Sequence, residues 1–481
     1  MFLNIELKEK SQKALVDTSD CVMTYGELCD EVENLGKYLK TRSFAFCLCS
    51  NKIPSVIGYI SMVEHDVVPL MLSSSIDKTF FESLYKEYMP HLVWAPMSFS
   101  CISKSWEKLF SYGDYALYQT ECEIYELNPL LQLCMSTSGS TGSPKLVRYK
   151  KGNLESNAKN VARAFRWTSD ERAFVDLGLQ YTMGLNVLNT HLYVGATILL
   201  CNYNPLESGY WDFMEQNKAT NITGVPFTFE IYARLKFFSK KFPYLKTIAE
   251  GGGRLTDKRF LELAEYSANS DKRFFATFGT TETSARLAYL DPSLALEKIG
   301  SIGKAIPEGR LFLVDESGNE LSDGPAEGEL CYSGPNVTMG YAISKDDLLL
   351  GDVWKGTYRT GDLARRDEDG CYYITGRLSR FLKLLGHRVS LDQCERLILN
   401  DLKIECACAG NDEAMLIFIE NTEAVGRSST YLSEKLHLNK SLFVEVPIEC
   451  IPRNESGKIL YKELVEIYKR DSLCLEKKQM M

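Results

Sequence analysis

From Thr24 to Phe278, short apolar runs alternate with longer segments in which apolar residues recur at helical spacing. This alternation is typical of β-α-β units built around a largely parallel sheet. The apolar runs predict strands at residues 44–49, 67–72, 132–136, 172–177, 196–201, 221–225 and 273–278. Between them the spacing predicts helices, among them residues 153–165, 205–217 and 257–268.

The first of these helices has a recognisable start. Thr24 is followed three residues later by Glu27, the arrangement of a capping box. The threonine hydroxyl and the glutamate carboxylate can each accept a hydrogen bond from an amide of the first turn. A helix is therefore expected to begin directly after Thr24.

Near residue 300 the pattern changes to alternating segments punctuated by glycine, at residues 309–321 and 328–341. Such segments predict antiparallel hairpins or a small barrel. A second change comes near Gly376, beyond which strand and helix patterns are mixed. The expected architecture is an α/β protein: a large N-terminal domain of β-α-β layers with a small β-barrel-like part over residues 1–376, and a small α+β domain over 377–481.

Composition agrees with a globular protein of several domains. Of 481 residues, 45% are hydrophobic and 25% are charged, which excludes collagen-like, disordered and mucin-like classes. Hydrophobic cores stop growing at about 250–300 residues, so two or more domains are expected. The formal net charge of -9 argues against binding to a nucleic-acid backbone, although local basic pockets stay possible.

Fifteen cysteines are scattered along the chain, with C-x-C pairs at Cys47/Cys49 and Cys406/Cys408 and no C-x-x-C. A disulfide framework or a zinc site is therefore not expected. The first residues lack a basic start followed by an apolar segment, and no stretch reaches the roughly 18 apolar residues of a membrane span. We expect a cytoplasmic protein.

The segment Ser136–Lys145 holds six hydroxyl side chains, two glycines and one lysine, directly after an apolar run. Glycines let backbone amides approach an anion, hydroxyls donate further hydrogen bonds and a lysine neutralises charge, so the segment suits a polyphosphate. It differs from a Walker A loop because Pro144 precedes the lysine and Leu146 follows it. By composition alone, a flexible Ser/Gly turn is an equally good interpretation.

The segment Phe278–Glu282 follows a predicted strand and brings Gly279, two threonines and a carboxylate to its end. Parallel α/β sheets bind their ligands at the carboxyl ends of strands. Glu282 has the oxygen ligand that Mg²⁺ bound to ATP requires. The alternative is a solvated glutamate in the first turn of a helix, favoured there by the helix dipole.

Two later segments carry further candidate groups. Asp362, in Tyr358–Asp362, can accept both hydroxyls of a ribose, and Arg377 adds a planar set of donors. Pro452–Lys458 is rich in turn-forming residues and leads into a predicted helix. In isolation, a lysine beside a glycine is usually a solvated charge.

Together, the motifs STSGSTGSPK, FGTTE, YRTGD, KLLGHRV and PRNESGK, in this order and spacing, resemble those of the adenylate-forming superfamily. That superfamily includes acyl- and aryl-CoA synthetases, nonribosomal-peptide adenylation domains and firefly luciferase. The resemblance extends over essentially the whole chain, from TYGEL near the start to PRNESGK near the end. It implies that the C-terminal domain is mobile and rotates about a hinge.

The resemblance also implies the roles of individual residues. The phosphate-binding loop would contain Thr137, Ser138, Gly139, Ser140, Thr141, Gly142 and Lys145. Adenine would be lined by Gly252, Gly253, Arg254 and Phe278, beside Gly279 and Thr280. Thr281 would contact the α-phosphate, Glu282 would bind Mg²⁺, and Asp362 and Arg377 would hold the ribose. Lys458 would be the mobile catalytic lysine, and Gly386 would lie beside a pantetheine tunnel.

The acid pocket departs from the family pattern at two positions. Tyr181 stands where many acyl-CoA ligases have a histidine, and Thr182 stands where amino-acid adenylation domains have an aspartate for the amine. We therefore expect a carboxylic acid without an α-amine, unless a carboxylate from elsewhere compensates. The pocket residues implied by position are Tyr181, Gly184, Asn186, Pro226, Phe227 and Phe229, although paired aromatics such as the last two are more often plain core. At the hinge position many members carry Asp or Lys, whereas this chain has Ser379.

The implied activity is an ATP- and Mg²⁺-dependent ligase that forms an acyl-adenylate and pyrophosphate from a small carboxylic acid. The acyl group would then pass to a phosphopantetheine thiol, either coenzyme A or a carrier protein. One alternative is an amino-acid ligase that loads a carrier protein. Another is a catalytically silent nucleotide-binding scaffold, which predicts loss of Lys458, Glu282 or Asp362; all three are present.

Overall fold

The structure is a computed structural model that describes residues 1–136, 145–420, 425–453 and 457–479. The chain divides into two compact units. The first comprises Met1–Leu311 and Tyr332–Tyr358, and the second comprises Phe312–Cys331 and Arg359–Met481. A functional boundary at residues 376/377 stays a prediction.

The helices begin with α1, whose start is the predicted capping box. The Glu27 amide donates to the Thr24 hydroxyl at 3.3 Å, and the Thr24 amide donates to the Glu27 carboxylate at 2.8 Å. Those of the first unit are α1 (Tyr25–Gly36), α2 (Ile53–Glu64), α3 (Lys78–Tyr88), α4 (Asn153–Phe165), α5 (Thr182–Val194), α6 (Ser208–Gln216), α7 (Pro226–Arg234) and α8 (Asp257–Asn269). Those of the second are α9 (Leu391–Leu397), α10 (Arg427–Leu436) and α11 (Tyr461–Gln479).

The strands follow in chain order. The first thirteen are β1 (Lys13–Asp17), β2 (Val22–Thr24), β3 (Phe44–Cys49), β4 (Val68–Ser73), β5 (Leu92–Pro96), β6 (Glu107–Tyr112), β7 (Tyr115–Gln119), β8 (Leu131–Ser136), β9 (Leu146–Lys150), β10 (Arg172–Val175), β11 (Thr197–Leu200), β12 (Asn221–Gly224) and β13 (Thr247–Glu250). The others are β14 (Arg273–Thr280), β15 (Ala285–Tyr289), β16 (Lys304–Ala305), β17 (Arg310–Val314), β18 (Ala326–Ser333), β19 (Tyr341–Ala342), β20 (Thr357–Arg366), β21 (Tyr372–Arg377), β22 (Phe381–Leu384), β23 (His387–Ser390), β24 (Cys406–Gly410), β25 (Met415–Ile419) and β26 (Phe443–Pro447).

Two sheets, rather than one, organise the first unit. One has the order β16-β15-β14-β13-β12-β10-β11-β1-β2, and the strands from β14 to β1 pair in parallel. The other has the order β19-β9-β8-β4-β3-β5-β7-β6, with β8, β4, β3 and β5 parallel. Buried apolar side chains from both sheets and from α1, α2 and α5 form one cluster. Burial of this surface, worth about 25 cal/mol per Å², is the main source of stability for the unit.

The strands predicted from apolar runs are all present, with ends shifted by up to two residues. One helix differs more: the segment predicted at 205–217 becomes helical only at Ser208. A turn precedes it, in which the Glu207 amide donates to the Asn204 carbonyl at 2.9 Å and the Leu206 amide donates to Asn204 Oδ1 at 3.0 Å. The asparagine side chain thus competes for backbone donors that would otherwise start a helix.

The second unit contains shorter sheets. The glycine-punctuated segments were predicted to form hairpins or a small barrel. In the structure they contribute β17 and β18 to a four-stranded sheet in the order β17-β18-β20-β21. Next come the hairpin β22-β23 and the sheet β24-β25-β26, whose core includes Leu384, Ile398 and Ile417. Within the part of the chain that the structure describes, no helix is both long enough and apolar enough to cross a membrane.

Candidate active site

Thr281 and Glu282 lie in a short 3-10 helix, Thr281–Thr283, directly after β14. Residues from other segments donate hydrogen bonds to the backbone carbonyls of this turn. The Tyr149 hydroxyl donates to the Thr281 carbonyl at 2.7 Å, and the amide and hydroxyl of Thr338 both donate to the Glu282 carbonyl at 3.0 Å. The two predicted site residues are therefore fixed at the carboxyl end of a strand, where the sequence placed them.

The shape of this turn depends on Gly279. A Cβ atom at Gly279 would lie 1.4 Å from the Ala285 carbonyl oxygen, which no side chain can tolerate. Ser284 and Ala285 have φ angles of 56° and 90°, a region that L-residues rarely adopt. The close approach of β14 and β15 thus turns the chain sharply after Glu282.

Tyr341 joins two of the predicted site residues. Its hydroxyl donates to Glu282 Oε1 at 2.7 Å, and Lys145 Nζ lies 3.3 Å from the centre of its ring. Trp354 packs edge-on against the same ring at 5.0 Å. Burial and the Glu282 carboxylate raise the pKa of Tyr341, so its hydroxyl stays a donor.

Sequence reasoning assigned no role to Tyr341. The residue ends the glycine-punctuated segment that carries part of the family resemblance, but no local signal distinguishes it from a core tyrosine. Its contact with Lys145 follows from strand pairing, since Tyr341 of β19 lies opposite Val147 of β9.

Lys145 is half-buried and stands immediately before β9. β8 and β9 pair antiparallel, with Ser136 opposite Leu146. The predicted phosphate-binding residues Thr137, Ser138, Gly139, Ser140, Thr141 and Gly142 lie outside the described residues.

The predicted adenine segment follows β13, the parallel neighbour of β14. Gly252 has a φ of 85°, and a Cβ at Gly253 would come within 2.9 Å of Pro226 Cγ, so both positions favour glycine. Arg254 lies 3.4 Å from Asp257 in an exposed ion pair. Phe278 is half-buried on β14, and Thr280 caps the turn after it. The structure thus brings Gly252–Arg254 and Phe278 to adjacent strand ends.

The segment predicted to bind the acid contacts the Thr281 turn directly. Thr182 Oγ1 donates to Thr281 Oγ1 at 3.1 Å, although 99 residues separate them. Tyr181, beside it, is 38% exposed. Gly184 is buried in the first turn of α5, where a Cβ would lie 2.5 Å from the Gly178 carbonyl oxygen. α5 therefore begins against the turn that carries Thr281.

Asn186, one turn further along α5, belongs to a buried polar network. Its Nδ2 donates to Asn157 Oδ1 at 2.6 Å, and its Oδ1 accepts from Arg286 Nη1 at 2.7 Å. Arg286 also donates to Thr223 Oγ1 at 3.1 Å, and burial lowers its pKa to about 9. Asn186 thus has protein partners on both sides of its amide.

The three predicted pocket residues of α7 differ in exposure. Phe227 is 47% exposed, Pro226 is half-buried and Phe229 is fully buried. The ring of Phe229 packs edge-on against Tyr232 at 5.8 Å, as a core residue does. Contact of these side chains with a substrate stays a prediction.

In the second unit, Asp362 of β20 lies opposite Arg377 of β21. Arg377 Nε donates to Asp362 Oδ1 at 2.8 Å, while the two side chains are 62% and 3% exposed. The aspartate raises the pKa of Arg377 by its negative charge. The predicted ribose pair is therefore assembled, with the carboxylate buried and the guanidinium open to a ligand.

Gly386 and Lys458 lie in two other turns of the second unit. Gly386, between β22 and β23, has a φ of 86° and open space where a Cβ would stand. Lys458 is exposed and precedes α11 by three residues. Beside the lysine, the Leu460 amide donates to the Pro452 carbonyl at 2.9 Å, and Arg453 and Ile459 form an antiparallel bridge.

Glu282 is the single carboxylate that the motifs offered for a metal. Among the described residues no three His, Cys, Asp or Glu side chains are grouped as a metal site. One protein carboxylate suits Mg²⁺ that takes its other oxygens from nucleotide phosphates and water. The donor set therefore fits a nucleotide-borne Mg²⁺ and does not fit a protein-held metal.

The chain is similar to known proteins over much of its length. Residues 131–342 match the family described as AMP-binding enzyme. The chain is 30% identical over 274 residues to indoleacetate–CoA ligase of Aromatoleum aromaticum, covering 56% of this chain and 52% of that protein. It is 26% identical over 345 residues to 2-succinylbenzoate–CoA ligase of Bacillus velezensis, covering 70% and 68%.

The fold is also that of solved structures. O-succinylbenzoate coenzyme A synthetase from Bacillus subtilis, in complex with AMP, superimposes with a TM-score of 0.76 at 21% identity. The match covers 95% of this chain and 96% of that one. This likeness confirms the α/β architecture with a large N-terminal part and a smaller C-terminal α/β part.

Proposed function

Since the chain belongs to the adenylate-forming superfamily of AMP-binding enzymes, we propose that it is an ATP-dependent ligase of a carboxylic acid and coenzyme A. It forms an acyl-adenylate and pyrophosphate, and then transfers the acyl group to the thiol. The relatives are named CoA ligases, which supports coenzyme A as the acceptor. Transfer to a carrier protein has no comparable support.

The observation that carries the proposal is the hydrogen bond between Thr182 and Thr281. The segment assigned to the acid thereby touches the turn assigned to the α-phosphate, and these are the two groups that must react. Lys145 and Glu282 approach Tyr341 from the same part of the first unit. Such convergence suits a reaction that depends on positioning.

In the first step, a carboxylate oxygen of the acid attacks the α-phosphorus of ATP and the bond to pyrophosphate breaks. Two anions must meet, so charge neutralisation is the main requirement. Glu282 would hold Mg²⁺, which neutralises phosphate charge when bound. Lys145 would neutralise the β- and γ-phosphates, Thr281 would donate to the α-phosphate, and Lys458 would approach the α-phosphate and the carboxylate.

Nucleotide binding by the second unit is proposed for Asp362 and Arg377. Asp362 would accept hydrogen bonds from the ribose hydroxyls, and Arg377, whose Nε lies 2.8 Å from Asp362 Oδ1, would donate to the same ribose. The exposed Gly386 turn would lie beside the pantetheine arm during thioester formation. Residues 377–481 would rotate as a lid, with Ser379 at the hinge.

The substrate class follows from the segment at the start of α5. Thr182 provides a hydroxyl where an α-amine would need a carboxylate, and the Asn186 amide is already paired. An acid without an α-amine fits this segment. Indoleacetate and 2-succinylbenzoate, the acids in the names of the two relatives, are of that kind.

The test is ATP–pyrophosphate exchange with indoleacetate, ferulate, 2-succinylbenzoate, phenylalanine and alanine. We expect exchange with an acid of the first three and none with the amino acids. Lys458→Ala should lower exchange at least about 100-fold, the scale of losing one transition-state contact, without weakening ATP binding. Asp362→Ala should weaken ATP binding. Nucleotide binding without exchange for any acid would favour the silent scaffold instead.

A further inference from the structure

Four side chains of the second unit form a cluster that connects three separate segments. Arg380 follows Ser379 directly, Asp392 and Glu395 stand on α9, and Tyr461 is the first residue of α11. None of them belongs to the motifs assigned to the reaction. We call them the Arg380 cluster.

Arg380 is the centre of the cluster. Its Nη2 lies 2.7 Å from Glu395 Oε1, and its Nε forms an ion pair with Asp392. Its guanidinium carbon lies 3.6 Å from the centre of the Tyr461 ring, within the range of a strong cation–π contact. The Arg380 side chain is 13% exposed and that of Glu395 is 17% exposed, so solvent screens these charges little.

Glu395 completes the connections. Its Oε2 accepts from the Tyr461 hydroxyl at 3.2 Å, and its Oε1 accepts from the Cys408 amide at 2.6 Å. The two oxygens of the Glu395 carboxylate therefore accept hydrogen bonds from two different elements, α11 and β24. Removing one partner of such a buried, fully hydrogen-bonded ion pair is costly, because the other partner is left as an uncompensated charge.

The cluster connects the start of α11, beside Lys458, with the segment that follows the hinge position Ser379. Lys458 stands three residues before Tyr461, and the Leu460 amide between them donates to the Pro452 carbonyl. α11 continues from that point with the Leu464 amide donating to the Leu460 carbonyl at 3.2 Å. On the other side, Arg380 adjoins the hinge position, and its carbonyl accepts from the Leu391 amide at 3.0 Å.

We propose that Arg380, Glu395 and Tyr461 are positioning residues that fix the start of α11, and hence Lys458, to the segment following Ser379. Lys458 then moves with the hinge as part of one rigid body. This inference rests on the proposed function for the role of Lys458. Adenylation needs Lys458 in place and thioester formation does not, so the two half-reactions depend differently on the cluster.

The pH dependence of the exchange rate provides a second readout. Burial raises the pKa of Glu395 to about 7, so the anion that Arg380 and Tyr461 hold is lost on acidification from neutral pH. The titratable and charged groups that face Glu395 from the hinge segment, α9, β24 and α11 are Arg380, Asp392, Cys394, Cys408 and Tyr461.

The experiment compares Arg380→Gln with Lys435→Gln, which removes an exposed ion pair to Asp401 in the same unit. The acid is the one of the panel above with the fastest exchange. For Arg380→Gln we expect kcat for exchange to fall about 10-fold or more, with KM for ATP and acid changed less than about 2-fold. The reaction of that acid's synthetic adenylate with coenzyme A should stay near the wild-type rate.

Hydrogen exchange of the Leu464 amide gives a readout independent of activity. It should accelerate about 10-fold in Arg380→Gln and remain unchanged in Lys435→Gln. Tyr461→Leu, which leaves the ion pairs intact, should reproduce both effects, and Tyr461→Phe should restore most of the rate. In Glu395→Gln the acid limb of the exchange rate near pH 7 should disappear.

An equal loss in both half-reactions, or unchanged protection of Leu464 in Arg380→Gln and Tyr461→Leu, would overturn the positioning role. Failure of the proposed function is distinguishable from this. In that case the wild type shows no exchange with any acid, whereas the Leu464 protection can still be measured.

Discussion

Tyr341 contacts two predicted site residues, although no role was predicted for Tyr341 itself. Its hydroxyl fixes the carboxylate assigned to Mg²⁺, and its ring supports the lysine assigned to the phosphates. The sequence predicted Glu282 and Lys145 from their local motifs. It did not predict Tyr341, because that residue reaches them through the pairing of β19 with β9.

Tyr341→Phe tests this connection. The change removes the hydrogen bond to Glu282 and keeps the ring beneath Lys145. We expect the Mg²⁺ concentration for half-maximal exchange to rise about 3- to 10-fold, the equivalent of a hydrogen bond worth about 1 kcal/mol. The control is Tyr25→Phe, which removes a buried hydroxyl that donates to the Ala196 carbonyl. Equal Mg²⁺ dependence of both variants would contradict the role of Tyr341.

His191 is a buried residue whose charge state limits stability in acid. Its Nδ1–H donates to the Val187 carbonyl at 2.8 Å and its Nε2 accepts from Asn221 at 3.1 Å, which requires the neutral ring. Burial lowers the pKa of His191 to about 3. The unfolded chain takes up this proton near its ordinary pKa of about 6.5, so folding stability falls as the pH drops from there towards 3.

We expect His191 to contribute a slope of about 1.4 kcal/mol per pH unit within that window. Urea unfolding of wild type and His191→Gln between about pH 4.5 and 7 measures it, and the variant should lack this part of the slope. His387→Gln, at an exposed histidine, should keep the wild-type slope. If His191→Gln also keeps it, the ring is protonated in the folded protein.

At the scale of elements, the turn between β14 and β15 depends on contacts that the local sequence does not encode. A strand over residues 273–278 that opens into FGTTE was predicted, and β14 confirms it with an end two residues later. The left-handed conformations of Ser284 and Ala285 were not predicted, because local preference disfavours them. Contacts with Asn336 hold them: its Nδ2 donates to the Thr283 carbonyl at 2.7 Å, and its carbonyl accepts from the Ser284 hydroxyl at 2.9 Å.

Gly279→Ala should disrupt this turn. Its Cβ would overlap the Ala285 carbonyl, so the strands must separate, with a loss of about 3 kcal/mol or more in stability and loss of exchange activity. Gly351→Ala is the matched control, since a Cβ there meets no atom within 4 Å. Thermal unfolding of the two variants compares them directly. Similar melting temperatures for both would show that β14 and β15 do not pack this closely.

At the scale of the whole molecule, periodicity predicted strands and helices but not their partners. β1 pairs with β11, Leu15 opposite Ile198, across most of the first unit. Such pairing is decided by which apolar faces bury one another, and an apolar run cannot specify its neighbour. This is why one largely parallel sheet was predicted where the structure has two.

Overall charge and local charge act differently. The net charge of -9 disfavours nucleic acid, while the cations at 145, 377 and 458 are predicted nucleotide-binding residues. Asp362 and Arg377 were predicted as a pair from their motifs, and the β20-β21 register places them side by side. The contact of Thr182 with Thr281 could not be predicted in this way, because it joins two motifs through the fold.

The central claim is that the chain activates a carboxylic acid by adenylation and transfers it to coenzyme A. Product analysis of one reaction containing ATP, Mg²⁺, coenzyme A and an acid of the panel tests it most directly. We predict AMP, pyrophosphate and acyl-CoA in equal amounts, and their formation at least about 100-fold slower with Lys458→Ala. Formation of ADP and phosphate, or of AMP without dependence on the acid, would contradict the account.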